Sequence, residues 1–185
     1  MAGYIDFDPK EHGLKTKLIK RNARYTHFAL VAAQQAILDA KLDMSTIDPE
    51  RFGCIVGSGI GGIEWFENNS KNFIAAGGEG YNALRSVDQF FIPALIANTA
   101  SGMVAIEHNA KGPNYCVSTA CASGTHSIGS ALKHLRDGDA DIMIAGGSEA
   151  TITPLCFSGF IALTAMVSKY NETPEKASRP FDKDR

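Results

Sequence analysis

The stretch Asn114-Tyr115-Cys116-Val117-Ser118-Thr119-Ala120-Cys121-Ala122-Ser123-Gly124 predicts a short strand that turns sharply into a helix. Tyr115 to Thr119 carries aromatic and β-branched residues at strand spacing. The segment that follows runs to Arg136 and ends before Gly138, a typical residue beyond a helix C-terminus. Its apolar residues recur at helical spacing: Ile128, Ala131, Leu132 and Leu135. Cys121 is therefore expected at the corner between strand and helix.

A thiol at such a corner has a specific chemistry. Unpaired backbone N–H groups and the positive end of the helix dipole favour the thiolate of Cys121, which is the nucleophilic form. The same N–H groups can hold the oxyanion that forms when a thioester carbonyl is attacked. The commoner outcome for a single cysteine is a buried, inert thiol. Spacing alone leaves both hypotheses open.

The flanking segments predict an α/β fold. Gly53–Gly57 and Asp141–Ala145 are short apolar runs, typical of strands that are buried on both faces. Helical patterns separate the strands, and such crossovers imply a parallel sheet that is covered on both sides. The predicted helices are Lys17 to Leu42, Ile63 to Ala76, and Pro93 to about Asn109.

The glycine-rich loop Ser58–Gly62 follows the first predicted strand and suggests a phosphate cradle. It lacks the Lys-Ser/Thr pair of a P-loop and the G-x-G-x-x-G spacing of a dinucleotide site. A nucleotide site is therefore excluded, and the glycines are expected to allow close packing beside the corner.

Composition excludes several functional classes. The 185 residues are 44% apolar and 21% charged, with a net charge of −2, which gives no reason to expect nucleic acid or an anionic membrane as partner. The four cysteines form no C-x-x-C pair and the histidines are not clustered, so no zinc site is expected. No apolar run approaches the ~20 residues that span a bilayer.

Basic residues gather at the start of the first predicted helix: Lys17, Lys20, Arg21 and Arg24. Cations near a helix N-terminus oppose its dipole, so a cluster there could serve an acidic partner. The alternative is an ordinary solvated face.

The corner motif Ser118–Gly124 resembles the nucleophile motif of the β-ketoacyl-[acyl-carrier-protein] synthases of types I and II. Further stretches resemble that family in the same order, from about Lys17 to near the end of the chain: Gly57–Gly62, Phe90–Pro93, Lys111–Asn114, Gly138–Gly147 and Ala177–Lys183.

The resemblance implies the N-terminal half of a thiolase-like fold, with residues 1–185 as one incomplete domain. The expected sheet is mixed and mostly parallel, and is covered by helices on both faces. Its first strand and the second half of the fold are expected to be absent from this chain. Family members usually form homodimers, with the Tyr115–Thr119 strand near the two-fold axis.

The implied reaction is carbon–carbon bond formation in fatty-acid synthesis. Cys121 would take an acyl group from acyl carrier protein, and malonyl-carrier would lose carbon dioxide and attack the acyl-enzyme. No metal and no bound organic cofactor are implied, because the phosphopantetheine arm arrives on the carrier. The alternatives are a polyketide ketosynthase and a non-catalytic carrier-binding partner or relic. The implied location is cytoplasmic in a bacterium, and plastid or mitochondrial in a eukaryote.

The resemblance also assigns further residues. Ile60 and Phe91 correspond to residues that line the acyl pocket, and Phe160 to a phenylalanine that gates it. Lys17, Lys20 and Arg21 correspond to residues that meet the carrier, whereas Thr164 stands where an arginine usually contacts it. The segment from Ala75 to Asp88 is longer than in most members. The two histidines and the lysine that assist decarboxylation come from the family's second half.

Overall fold

The computed structural model describes residues 2–183, which divide into two compact units. The larger unit is Asp8–Ala150, and the smaller combines the first seven residues with the chain from Thr151 onward. In chain order the larger unit contains α1 (Thr16–Arg21), α2 (Arg24–Asp39), β1 (Phe52–Gly57), α3 (Ile63–Ala75), α4 (Gly80–Arg85), α5 (Phe91–Leu95), α6 (Thr99–Glu107), β2 (Asn114–Tyr115), α7 (Ser123–Asp137) and β3 (Ile142–Gly147).

The three strands form one parallel sheet in the order β2-β1-β3. Ile55 pairs with Tyr115 on one side, and β1 pairs along its whole length with β3, from Phe52 opposite Ile142 to Gly57 opposite Gly147. All six residues of β1 are buried, as expected for a central strand. The parallel α/β class is confirmed. The sheet was predicted to be mixed, but every strand pairing in residues 2–183 is parallel.

Helices cover both faces of β1. Cys54 and Val56 point into the main core, with Tyr25 of α2 and Val104 of α6. Gly57 faces the other way, since successive strand residues alternate between faces. A Cβ atom on Gly57 would lie 2.6 Å from Ser123 O and Ser127 Oγ, so α7 packs directly onto the strand backbone there.

The predicted helix from Lys17 to Leu42 is two helices in the structure. Asn22 and Ala23 adopt extended conformations between α1 and α2. The Asn22 side chain is buried and donates a hydrogen bond to Leu18 O (2.9 Å), a carbonyl in the last turns of α1. The hydrophobic pattern does not reveal this break between α1 and α2, because apolar residues before and after it pack into the same core.

The predicted helix from Pro93 to Asn109 is also divided. It forms the short α5 and the longer α6, separated at Ile96–Asn98. Pro93 is the third residue of α5 rather than its first. The long segment from Ala75 to Asp88 contains α4, whose Ala83 is fully buried.

In the smaller unit, α8 (Pro154–Ala162) begins at a proline in the first turn, and the Thr153 hydroxyl oxygen accepts a hydrogen bond from Cys156 N (3.3 Å). Downstream, Arg179 pairs with Asp182 (2.9 Å) and lies over the ring of Tyr170. None of the helices described between residues 2 and 183 is long and apolar enough to cross a membrane.

Candidate active site

A tight turn joins the strand side of the motif to α7. Thr119 O accepts from Ala122 N and Ala120 O accepts from Ser123 N, both at 3.1 Å. The Ser123 hydroxyl donates to Ala120 O (2.6 Å) and accepts from Thr119 N (2.9 Å). Ala120 itself has φ of +50°, a left-handed conformation that costs a non-glycine residue on the order of 1 kcal/mol. Hydrogen bonds within the turn thus stabilise a strained backbone conformation at Ala120. Such strained residues are common at functional sites.

Cys121 follows the strained residue and is exposed. It directly precedes Ala122, the N-cap of α7, so it lies at the corner as predicted. The positive end of the α7 dipole therefore lies next to Cys121 in the chain. The predicted strand Tyr115–Thr119 is wrong in extent. Only Asn114 and Tyr115 pair with β1, because the chain then leaves the sheet to build the turn.

The other cysteines are less suited to nucleophilic attack. Cys54 is fully buried, and burial raises the pKa of its thiol to about 11. Burial also raises the pKa of Cys116, with a smaller contribution from the negative charge of Glu149. Cys156 is half-buried in α8. The thiolate is the reactive form of cysteine. Cys121 is the best candidate nucleophile of the four, because it is exposed and lies at a helix N-terminus.

We expect Cys121 to be the first of the four cysteines to react with a small alkylating agent, and Cys54 to be the last. Exposure favours Cys121, whereas a buried thiol with a raised pKa is inert near neutral pH. Competitive labelling of the folded chain with iodoacetamide and mass mapping gives the order. The assignment fails if Cys116 or Cys156 is modified before Cys121.

The glycine-rich loop lies against the corner. A Cβ atom on Gly59 would lie 3.5 Å from Ala120 O, so the loop backbone touches the residue before Cys121. At its other end Gly62 N donates to Leu95 O (3.0 Å), and a Cβ atom there would collide with Ala94 O. The loop is therefore wedged between the corner and α5. This agrees with the predicted role of the glycines in close packing.

The structure brings two of the three predicted pocket residues into this region. Ile60 belongs to the wedged loop and is 41% exposed. Phe91 begins α5, the helix against which the loop packs, and it is half-buried. Phe160 lies on α8 of the smaller unit, where it is 38% exposed. Its function as a gate stays a prediction.

The predicted carrier-binding residues Lys17, Lys20 and Arg21 are all exposed on α1. Lys20 and Arg21 occupy its last turn, where cations complement the helix dipole. The expected conflict with the dipole is therefore wrong for these two, because the chain breaks before α2. The Arg21 guanidinium lies 4.8 Å from the ring centre of Phe90, next to Phe91. This contact ties the basic helix to the residue directly before α5.

Sequence reasoning missed two contacts around the corner. His126 of α7 has its Nδ1 2.7 Å from the hydroxyl oxygen of Thr119, so it supports the turn. Glu149, which follows β3, binds the glycine-rich loop through Gly59 N (2.8 Å) and Ile60 N (3.0 Å). No pattern in the sequence marks either contact.

Comparison with known proteins agrees with this geometry. Residues 1–184 match the family described as Beta-ketoacyl synthase, N-terminal domain. The chain belongs to the β-ketoacyl synthase family. The resemblance seen in the motifs is thereby confirmed.

Curated relatives of the family include 3-oxoacyl-[acyl-carrier-protein] synthase 2 of Coxiella burnetii, 43% identical over 97% of this chain and 42% of that protein. The enzyme of the same name from Staphylococcus aureus is 43% identical over all of this chain and 44% of its own length. The chain thus spans less than half the length of these relatives.

Solved structures share the fold. A β-ketoacyl synthase from Burkholderia phymatum STM815 has a TM-score of 0.79 and 25% identity over 99% of this chain and 42% of its own. A type II polyketide ketosynthase in complex with its acyl-carrier protein has the same TM-score at 21% identity, over 88% of this chain and 45% of its own. The thiolase-like fold that the motifs imply is confirmed.

Proposed function

We propose that this chain supplies the nucleophile half of a 3-oxoacyl-[acyl-carrier-protein] synthase. The Cys121 thiolate attacks the thioester carbonyl of an acyl carrier, and the carrier thiolate leaves. Malonyl-carrier then loses carbon dioxide, and the resulting carbanion attacks the acyl-Cys121 carbonyl. The 3-oxoacyl chain departs on the carrier and the Cys121 thiolate is restored. Forming a covalent acyl-enzyme divides one difficult step into two easier ones.

The exposed Cys121 at the strained corner before α7 carries this proposal. A thiol in that position has access to a substrate and lies at the positive end of the helix dipole, which favours the negative charge of a thiolate or an oxyanion. Ile60 lies on the loop that packs beside the corner, and Phe91 begins the helix on the other side of that loop, so both offer apolar side chains to an acyl chain. Two curated relatives carry the name of this activity.

Acyl carrier protein is the proposed partner. The α1 surface offers the cations Lys17, Lys20 and Arg21 to an acidic protein. One structural neighbour is a ketosynthase in complex with its acyl-carrier protein. The phosphopantetheine arm would arrive on that partner, and the proposed chemistry uses no metal or bound organic cofactor. Thr164, which replaces the usual arginine, leaves α1 as the main docking surface.

Intact-mass measurement tests the proposal directly. After incubation with octanoyl-acyl carrier protein, the chain is expected to gain one octanoyl group. The Cys121→Ala variant should gain none, and the Cys156→Ala control should gain as much as the unchanged chain. A carrier-binding relic would bind the donor without gaining mass. Acylation that survives in Cys121→Ala would reject Cys121 as the nucleophile.

A polyketide ketosynthase uses the same chemistry on other chains. Comparing acylation by octanoyl-carrier with acylation by a polyketide-bearing carrier of similar length separates the two activities. We expect the simple acyl chain to react faster, because apolar side chains such as Ile60 and Phe91 offer no partners for extra carbonyl groups.

Reversing two charges on α1 is expected to weaken carrier binding. The double variant Lys20→Glu, Arg21→Glu should raise the dissociation constant for acyl carrier protein about tenfold at low ionic strength. The free energy of unfolding should fall by only about 1 kcal/mol, since both side chains are exposed and the losses are the Arg21–Phe90 contact and the favourable charges at the end of α1.

Fluorescence anisotropy with labelled carrier at two salt concentrations measures this effect. Lys133→Glu, an exposed lysine on α7, is the matched control and should leave binding unchanged. Equal binding by the double variant and the unchanged chain at low salt would reject the docking surface.

We further propose that the complete protein is a homodimer, with the Tyr115–Thr119 segment near the two-fold axis. β2 is the edge strand of the described sheet and Tyr115 is 39% exposed, so this edge is available to a second copy. A stable monomer in light scattering of the complete protein would contradict the dimer. Because these relatives are bacterial, we propose the cytoplasm as its place of action.

A further inference from the structure

The carboxylate of Glu149 holds four of the five residues of the glycine-rich loop Ser58–Gly62, directly or through the Ser58 hydroxyl. Its Oε2 accepts hydrogen bonds from Gly59 N (2.8 Å) and Ile60 N (3.0 Å). Its Oε1 accepts from the Ser58 hydroxyl (3.2 Å), whose oxygen in turn accepts from Gly61 N (3.1 Å). Four consecutive residues therefore depend on one side chain. Hydrogen bonds to an ionised acceptor are about twice as strong as those between neutral groups.

The loop backbone has close neighbours on both sides, and the Glu149 carboxylate is one of them. A Cβ atom on Gly59 would lie 3.0 Å from Glu149 Oε2 and 3.5 Å from Ala120 O. The Gly59 backbone is thus close to both the carboxylate and Ala120, the residue that precedes Cys121. A Cβ atom on Gly61 would lie 2.6 Å from Leu95 O, which closes the α5 side.

The backbone that carries Glu149 is anchored at the end of the sheet. It comes two residues after Gly147, the end of β3, and Ser148 N donates to Gly57 O (2.9 Å) at the end of β1. The two strand ends are therefore fixed to each other just before the carboxylate reaches the loop. A displacement of the loop would have to break charge-assisted hydrogen bonds rather than bend a flexible segment.

From these contacts we propose that Glu149 is a positioning residue that sets the acyl-chain selectivity of Cys121, by holding Ile60 and the Gly59 backbone against the corner. This rests on the proposed function of Cys121 as the acyl acceptor. Glu149 acts through the loop and does not touch the acyl group. The ligand whose fit it controls is a straight, apolar acyl thioester that extends beyond the thiol. An acetyl group is too short to depend on the placement of Ile60.

The test compares a long and a short donor on the same thiol. In Glu149→Gln the amide keeps the shape of the carboxylate. An NH₂ group, however, replaces one of the two accepting oxygens and faces a hydrogen-bond donor of the loop. We expect the ratio of the octanoyl to the acetyl acylation rates, both from acyl carrier protein, to fall about tenfold, as the loss of a charge-assisted hydrogen bond predicts. Iodoacetamide alkylation of Cys121 should change less than about twofold, since that reagent needs no acyl pocket.

Two further variants complete the experiment. Glu107→Gln, an exposed carboxylate that pairs with Lys15 (3.2 Å), is the matched control and should keep the selectivity ratio. Ser58→Ala removes only the hydroxyl link to Oε1 and Gly61 N, so a smaller fall in the same direction is expected. It also carries the test if Glu149→Gln does not fold.

The outcomes separate the two proposals. If the unchanged chain accepts neither donor although Cys121 is alkylated, the proposed function fails and the role of Glu149 falls with it. If the unchanged chain is acylated but Glu149→Gln loses octanoyl, acetyl and iodoacetamide reactivity equally, Glu149 supports only the fold. An unchanged octanoyl-to-acetyl ratio in both loop variants also overturns the inference.

Discussion

Replacing Gly57 with alanine is expected to lower the free energy of unfolding by about 3 kcal/mol. The new Cβ atom would lie 2.6 Å from both Ser123 O and Ser127 Oγ, inside van der Waals contact. Neither neighbour can move at small cost. Ser123 holds the turn before α7 through Ala120 O and Thr119 N, and Ser127 Oγ donates to Ser123 O (2.8 Å). The substitution therefore pushes α7, and Cys121 with it, away from the sheet.

Urea unfolding followed by circular dichroism measures the loss. Gly129→Ala is the matched control, because Gly129 lies in the same helix with open space where its Cβ atom would be. That variant should gain about 0.5–1 kcal/mol from helix propensity. If Gly57→Ala unfolds at the same urea concentration as the unchanged chain, the close packing of β1 on α7 does not limit stability.

The second large effect concerns catalysis: residues 1–185, given acyl- and malonyl-acyl carrier protein, are expected to form no 3-oxoacyl product. Decarboxylation places negative charge on the malonyl thioester oxygen, and this charge needs cationic or N–H donors that face the Cys121 thiolate. In the proposed function the helix N-terminus would support acyl transfer, but the second donor set would have to come from side chains opposite the corner.

The histidines of this chain have other surroundings. His27 is buried on α2, where burial lowers its pKa and keeps it neutral near pH 7. His134 bonds to Asp139 (2.8 Å) and to the Tyr115 hydroxyl (3.0 Å). His126 bonds to the Thr119 side chain, and burial lowers the pKa of His108. His12 precedes α1, on the chain segment before the basic helix.

Product analysis by mass spectrometry checks this prediction, with octanoylation of Cys121 in the same sample as the control for competence. The acylated intermediate should accumulate without conversion. Formation of 3-oxodecanoyl-carrier by the 185-residue chain would contradict the prediction and would show that a residue of this chain assists decarboxylation. His126→Ala would then be the first variant to measure, because His126 is the histidine bonded to the corner turn.

The main elements of the fold follow from local sequence because their signals are local. The apolar run around Ile55 predicts a buried strand, the spacing from Ile128 to Leu135 predicts α7, and Gly138 ends that helix with φ of +80°. The corner at Cys121 is predictable for the same reason, since strand residues, small residues and a helix follow one another without a gap. The resemblance of the motifs to the family, in the same order, then predicted how these elements are arranged in the fold.

The missed features depend on contacts between distant parts of the chain. Asn22 divides a continuous apolar pattern by bonding to Leu18 O, and periodicity does not detect a side chain that caps a helix. Glu149 meets the loop at Gly59 across 90 positions of sequence, where it resembles any exposed acid. The end of β2 after Tyr115 was missed because the turn at Ala120 overrides the β-propensity of the residues before it.

The central position of β1 also has a consequence for synthesis on the ribosome. Its neighbours are encoded far downstream, since Ile55 pairs with Tyr115 and Phe52 with Ile142. At roughly 5–20 residues per second, translation needs about 5–18 s to pass from β1 to β3. During that interval the most apolar strand of the sheet has unpaired edges in a growing polypeptide. Slowing elongation after β1 would prolong its exposure, so nascent-chain aggregation should depend on codon choice between Gly57 and Ile142.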